Sequence, residues 1–299
     1  MGLSRRTRLI KNIVADLNQM NRFTDLRLSK FSESEIDQGF KFPDYIETEI
    51  IEMPDFKMLR LAAKESGSYF VTLMFHGGGY CQAFKRNYNR VAGYYHEVSR
   101  AGTVYAVDYR VAPENVFPAA LDDAAAAYDY LVQDLKIDPS RIILSGDSAG
   151  GGLALSLVHV LRSQWKKLPA GLVLMSPWAD LTTSGPSYVN NKEIDPVFGG
   201  GNDELIFNNP YPGETDKKDI RISPLFGDFA GFPPMLIQVG SDEMLYSDSE
   251  ELYLKAKAQG VQVRFTVYQG MFHVFQLGGK IMEESKEAWR EVGRFYDSL

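Results

Sequence analysis

The run Leu144-Ser145-Gly146-Asp147-Ser148-Ala149-Gly150-Gly151-Gly152 surrounds one serine with residues of almost no side chain. Residues 146–150 read G-x-S-x-G. That spacing suits a hydroxyl on a sharp strand-to-helix turn, where bulkier neighbours would collide and where the helix N-terminus adds partial positive charge. A serine hydroxyl becomes a useful nucleophile only when a base takes its proton, and the base needs an acid to orient it. The chain holds four histidines. His96 and His159 fall in helical stretches and His76 opens a glycine run, which leaves His273, in QGMFHVF, as the base. Two acids compete. Asp242 follows PMLIQVG-Ser241, and Asp180 follows LMSP-Trp178-Ala179. Asp242 is favoured because it lies nearer His273 along the chain, on a neighbouring strand. Glu243 is adjacent and is expected to point elsewhere, and Asp248 is expected to cap a helix.

The second glycine run is His76-Gly77-Gly78-Gly79. Glycines after a strand can turn backbone N–H groups toward a ligand. A phosphate-binding loop would need Gly-Lys-Ser/Thr, which is missing. The alternative is an oxyanion site, in which the amides of Gly77, Gly78 and Ala149 hold the negative oxygen of a tetrahedral intermediate. His76 is then expected to fix the loop by hydrogen bonding.

These residues need a scaffold that brings distant strand ends together. IETEIIEM and FKMLRLA read as two early strands with partial alternation. Six further apolar runs follow at 69–75, 104–109, 141–146, 171–177, 234–240 and 263–269. Short runs without polar alternation suit strands buried on both faces of a parallel sheet. Helical stretches lie between several of them: Tyr88 to Arg100, Ala119 to Gln133 after Pro118, Ala149 to Gln164, Asp248 to Ala258 and Glu283 to Tyr296. Alternating strands and helices predict an α/β fold, a mostly parallel sheet with helices on both faces. The interval from Thr182 to Phe232 breaks the rhythm with Gly, Pro, Asn and Asp, and such a length without structure would be unusual. It is read as an inserted cap segment (182–232) of short helices. The catalytic domain is then 46–181 and 233–299, with an N-terminal cap segment over 1–45.

Within that N-terminal segment, Leu9, Ile10, Ile13, Val14, Leu17 and Met20 recur at helical spacing beside Arg5, Arg6, Arg8 and Lys11. A helix docked on the protein's own body is favoured over one lying on a membrane surface. No apolar stretch is long enough for a signal core or a stable membrane insertion. The net charge of −7 argues against sequence-independent nucleic-acid binding, which needs a cationic field. One cysteine, Cys81, allows no internal disulfide and no Cys/His metal spacing. No metal or cofactor is called for, a cytoplasmic location is expected, and a homodimer is left open.

The order Ser148, Asp242, His273 separates two architectures. Chymotrypsin-like proteases run His, Asp, Ser, whereas α/β hydrolases run Ser, acid, His. On these residues the sequence resembles the hormone-sensitive-lipase-like family of α/β hydrolases, the bacterial esterases with a GDSAG elbow. The blocks that carry the resemblance are His76 to Gly79, Tyr109-Arg110-Val111-Ala112-Pro113-Glu114 with Phe117 to Ala120, Gly146 to Gly151, Ser176-Pro177-Trp178 with Asp180-Leu181, Ser241-Asp242-Glu243, and His273-Val274-Phe275. They span roughly residues 45 to 299. The resemblance implies an α/β-hydrolase fold with a helical cap and a carboxylic ester hydrolase that forms an acyl-enzyme on short- to medium-chain esters. Its partner would be a small-molecule ester.

Many members have Asp-Pro-Leu at the acid and His-Gly-Phe at the base, where this chain has Asp242-Glu243-Met244 and His273-Val274-Phe275. Both variants resemble an acetyl-esterase or lactone-hydrolase branch. The alternatives are a lactonase or deacetylase using the same residues, and a ligand receptor of this fold lacking the histidine. Arg110 has no derivable chemistry and is expected in ion pairs. Activity is expected to fall on acidification, as the imidazole gains a proton.

Overall fold

The computed structural model describes residues 5–21, 33–36, 38–65, 67–199 and 203–299, and within the N-terminal helix it describes the side chains of residues 6–16. Eight strands build one sheet in the order β1-β2-β4-β3-β5-β6-β7-β8. They are β1 (Ile46–Glu52), β2 (Lys57–Ala63), β3 (Val71–Phe75), β4 (Thr103–Asp108), β5 (Ile142–Asp147), β6 (Gly171–Met175), β7 (Met235–Gly240) and β8 (Val263–Tyr268). Pairing is antiparallel at β1–β2 and β2–β4 and parallel everywhere else.

Every residue of β3, β5, β6 and β7 is buried, which accounts for their mainly apolar sequences without polar alternation. Their side chains still alternate between two cores. Leu73, Phe75, Leu172, Leu174 and Ile237 face one core, which includes residues from helices α3 (Ala119–Asp129), α4 (Ala149–Ser163) and α7 (Tyr246–Ala258). Met74, Val173, Met175 and Leu236 face the other, with residues from α2 (Asn87–Val98) and α8 (Glu283–Tyr296). The period of two is therefore present in the packing, although hydropathy hides it. Helix α3 is shorter than expected and gives way to a widened turn at Tyr130–Asp134.

Register aligns the strand ends that matter. Phe75 pairs with Gly146, Asp147 with Met175, and Gly240 with Tyr268. The turns that follow β3, β5, β6, β7 and β8 thus converge on one edge of the sheet, the crevice where open α/β sheets place their ligands.

Two segments lie outside this scaffold. Helix α1 (Arg5–Asn21) docks on the body. Ile10 and Val14 pack on a cluster of Met271, Phe272, Phe275, Met282 and Ala288, and Thr7 Oγ1 donates to Glu284 at 2.7 Å. Leu9 and Ile13 stay exposed, and the side chains of Leu17 and Met20 lie outside the described ones. The inserted segment contains two four-residue helices, α5 (Ser187–Asn190) and α6 (Glu204–Phe207), and a 3-10 turn at Pro224–Phe226. Among the described residues no helix is long and apolar enough to cross a membrane.

Candidate active site

Ser148 stands on the turn between β5 and α4 with φ 52° and ψ −123°. A non-glycine residue reaches this region only when its surroundings hold it there. The neighbouring glycines show how. A Cβ on Gly150 would lie 2.2 Å from the Phe75 carbonyl oxygen, and one on Gly146 would lie 2.3 Å from the backbone of Gly150. A Cβ on Gly152 would lie 2.2 Å from the Trp178 carbonyl oxygen. The elbow is therefore pressed against the ends of both flanking strands, and the G-x-S-x-G pattern is a steric requirement here. The Ser148 carbonyl is fixed by the amides of Gly151, Gly152 and Trp178.

Ser148 Oγ lies 2.9 Å from His273 Nε2, and His273 Nδ1 lies 2.8 Å from Glu243 Oε2. A carboxylate at Nδ1 fixes the tautomer: Nδ1–H donates to Glu243, and Nε2 is left to accept from the serine. His273 comes from the turn after β8, with its ring 4.8 Å from that of Phe198. Glu243 is fully buried, and its second oxygen accepts from Ser176 Oγ at 2.9 Å and from the Gly240 amide at 2.5 Å. Three donors thus compensate a buried charge that would be costly alone.

This corrects the expected acid. Asp242 does not face His273. Its side chain turns to the opposite side of the turn, where it pairs with Lys11 of α1 and accepts from Ser241 Oγ at 2.6 Å. Lys11 also reaches the Gly270 carbonyl. Consecutive residues at a strand end point in opposite directions, and here the longer carboxylate points inward. Asp180 is equally removed, because its two oxygens hold its own turn through Thr182 and Ser184. Nor does Asp248 cap a helix. It sits inside α7, buried, and its Oδ2 accepts from the amides of Ala179 and Asp180 and from Tyr188 OH.

The glycine loop after β3 needs a second correction. The Gly77 amide donates to Tyr88 OH at 2.9 Å and to Asp147 Oδ1 at 3.2 Å, so it is already spent. Among the described residues, the amides of Gly78, Gly79 and Ala149 donate to no protein acceptor. Their direction is set from the carbonyl side of each peptide. His76 Nδ1 holds the Gly77 carbonyl at 2.7 Å, and the amides of Cys81 and Gln82 hold that of Gly78. The loop needs positive φ at Gly78 (113°) and Gly79 (61°), which glycine adopts at little cost.

His76 itself is buried and stacked on Tyr109 at 4.2 Å, and burial lowers its pKa so that it stays neutral. Asp147 is also buried, and desolvation raises its pKa to about 6 against the hydrogen bonds from Tyr88 and Gly77. His96 bonds the Gly102 carbonyl and His159 that of Pro224. Arg110 forks onto Asp123, with Nη2 to Oδ1 at 2.7 Å.

Sequence reasoning missed Gly79, Glu243 and Ser176. The third glycine of the loop was one available signal. Another was the departure of Asp242-Glu243-Met244 from Asp-Pro-Leu. Nothing local marked Ser176 as the anchor of Glu243.

Comparison with known proteins agrees with this architecture. A family model described as alpha/beta hydrolase fold matches residues 72–277. An acetyl-hydrolase of Streptomyces hygroscopicus is 36% identical over 223 residues, covering 75% of this chain and 74% of the relative. An esterase of Acinetobacter venetianus is 40% identical over 202 residues, covering 66% and 64%. Among solved structures, an esterase from the bacterial hormone-sensitive lipase (HSL) family superposes with a TM-score of 0.85 at 32% identity, covering 100% of this chain and 99% of that one. The esterase EstE5, soaked with p-nitrophenyl butyrate, gives 0.86 at 32% identity, covering 99% and 98%. The chain belongs to the α/β-hydrolase family, in its hormone-sensitive-lipase-like branch. It is a serine ester hydrolase of that branch.

Proposed function

We propose that the protein hydrolyses small carboxylic esters with short to medium acyl chains, using Ser148 as nucleophile, His273 as base and Glu243 as the orienting acid. The observation that carries this reading is the unbroken chain from Ser148 Oγ to His273 to Glu243, at 2.9 and 2.8 Å.

His273 Nε2 takes the proton from Ser148 as Oγ bonds to the ester carbonyl carbon. The carbonyl π electrons move to oxygen, and that oxyanion rests on the amides of Gly78, Gly79 and Ala149. A single such donor is worth roughly 3–4 kcal/mol in comparable sites. The oxyanion collapses, the C–O bond to the alcohol breaks, and His273 returns the proton to the leaving oxygen. Water then repeats the sequence on the acyl-enzyme, and its attack releases the acid and restores Ser148. Glu243 accepts from His273 Nδ1–H throughout and stabilises the imidazolium that forms twice.

Helix α1 and the inserted segment act as a cap. Phe198 lies against His273, and a Cβ on Gly79 would lie 2.6 Å from Leu205 Cδ2. The cap thus closes over both the base and the oxyanion loop, which favours small substrates. The single cysteine, Cys81, is buried and free, in keeping with a reducing, cytoplasmic setting.

The test is hydrolysis of p-nitrophenyl acetate and butyrate by the wild type and by Ser148→Ala. Turnover should vanish in the variant. Equal turnover would refute the assignment, and resistance of the wild type to a fluorophosphonate probe would favour a receptor.

A further inference from the structure

Two polar residues of the inserted segment reach the turn that carries Glu243. Asn191 Nδ2 donates to the carbonyls of Ser241 at 3.1 Å and Glu243 at 2.9 Å. Asp195 Oδ2 accepts the Met244 amide at 2.7 Å. The Glu243 carbonyl and the Met244 amide belong to one peptide plane, so both of its polar atoms are bonded to the inserted segment. That plane sets the backbone from which the Glu243 side chain departs toward His273.

The other oxygen of Asp195 holds the stretch that lies against the base. Oδ1 accepts the amides of Val197 at 2.7 Å and Phe198 at 3.2 Å, and the Phe198 ring lies against His273. Asp195 is 3% exposed, and its hydrogen-bond donors are backbone amides. A carboxylate buried this deeply costs free energy unless its acceptor sites are used, and here they are used to join the Glu243 turn to the stretch of the inserted segment that carries Phe198. Burial raises its pKa, with the Met244 amide acting in the opposite direction.

We propose that Asp195 and Asn191 are positioning residues for the reaction, holding the Glu243–Met244 peptide and the Phe198–His273 contact so that Ser148 is activated only when the inserted segment is seated. The proposal rests on the assignment of Ser148, His273 and Glu243 given above. It makes the segment part of the catalytic machinery as well as a wall of the substrate pocket. A misplacement of about 1 Å in such a constellation can cost roughly 100-fold in rate.

The experiment compares wild type, Asp195→Asn and Asn191→Ala in two assays. One is the rate constant for labelling by a small fluorophosphonate, which reads nucleophile activation with little demand on the pocket. The other is kcat and KM for p-nitrophenyl acetate, with folding checked by near-UV circular dichroism. An asparagine offers one acceptor oxygen where the carboxylate offers two, so one side of the bridge is lost. For Asp195→Asn, labelling and kcat should fall about 10- to 100-fold, with KM within about two-fold. Asn191→Ala should lower both about 3- to 10-fold, and as a half-buried site it carries the test if Asp195→Asn fails to fold. Labelling and kcat within two-fold of wild type would overturn the proposal, as would a raised KM with kcat retained. A wild type that resists the probe would overturn the nucleophile assignment and the proposal together, whereas equal labelling of all three proteins would overturn only the positioning role.

Discussion

Replacing Asp147 by asparagine should make the protein gain stability relative to wild type as the pH rises. The carboxyl is buried beneath the elbow, where its pKa is moved from 3.8 to about 6 by desolvation. A carboxyl with a raised folded-state pKa favours the native state while protonated. That contribution is present in full below the unfolded value and is lost as the pH climbs through the folded one. The whole displacement corresponds to about 3 kcal/mol. Integrating the two titrations between pH 5 and pH 8 leaves about 1.4 kcal/mol of it inside a practical window. Asparagine does not ionise, so the stability difference between variant and wild type should shift in the variant's favour by that amount over the window. The loss of one acceptor for Gly77 or Tyr88 shifts the whole curve without changing its slope. Urea unfolding at five pH values reads the difference directly. A difference that stays flat from pH 5 to 8 would refute the claim that Asp147 is held in an environment hostile to its charge.

Gly150→Ala should lower stability by at least about 1–3 kcal/mol and depress kcat, because the new methyl meets the Phe75 carbonyl at 2.2 Å and pushes the oxyanion loop from the elbow. A thermal melt and a p-nitrophenyl butyrate assay check both parts. Arg110→Ala strips the fork from Asp123, which is 2% exposed, and should cost about 2–3 kcal/mol. The cost falls below that of a fully buried pair because the Arg110 side chain keeps 30% of its exposure. Below the melting temperature kcat should be retained, since Arg110 acts on the fold alone.

The sheet and the elbow were legible in the sequence because their causes are local. Strands buried on both faces are mostly apolar, and a serine squeezed between strand ends must have glycines at 146 and 150. His273 could be found because the other three histidines had visible structural settings. The acid could not be separated from its neighbour for a physical reason. Asp242 and Glu243 are both carboxylates on one turn, and what divides them lies far along the chain. Lys11 claims Asp242 from 231 residues away, and Ser176 claims Glu243 from 67. The spent amide of Gly77 is a similar case, since Tyr88 and Asp147 decide its direction. Helices of four residues in the inserted segment leave no periodic trace, and the bonds that Asn191, Asp195 and Asn209, outside those helices, make to Glu243, Met244 and Gly79 are tertiary.

One paired measurement tests most directly whether Glu243 or Asp242 orients His273. Glu243→Gln and Asp242→Asn both exchange a carboxylate for an amide of nearly the same shape, and kcat for p-nitrophenyl butyrate is compared for the two. An amide at Glu243 cannot accept from His273 Nδ1–H in the same way, so kcat should fall by about 10³–10⁴-fold, the scale seen when a triad acid is replaced by its amide. Asp242→Asn loses an ion pair whose partners keep about a fifth of their exposure, and kcat should stay within a few-fold of wild type. The reverse ranking, with Asp242→Asn inactive and Glu243→Gln active, would make Asp242 the orienting acid and rule Glu243 out of that role.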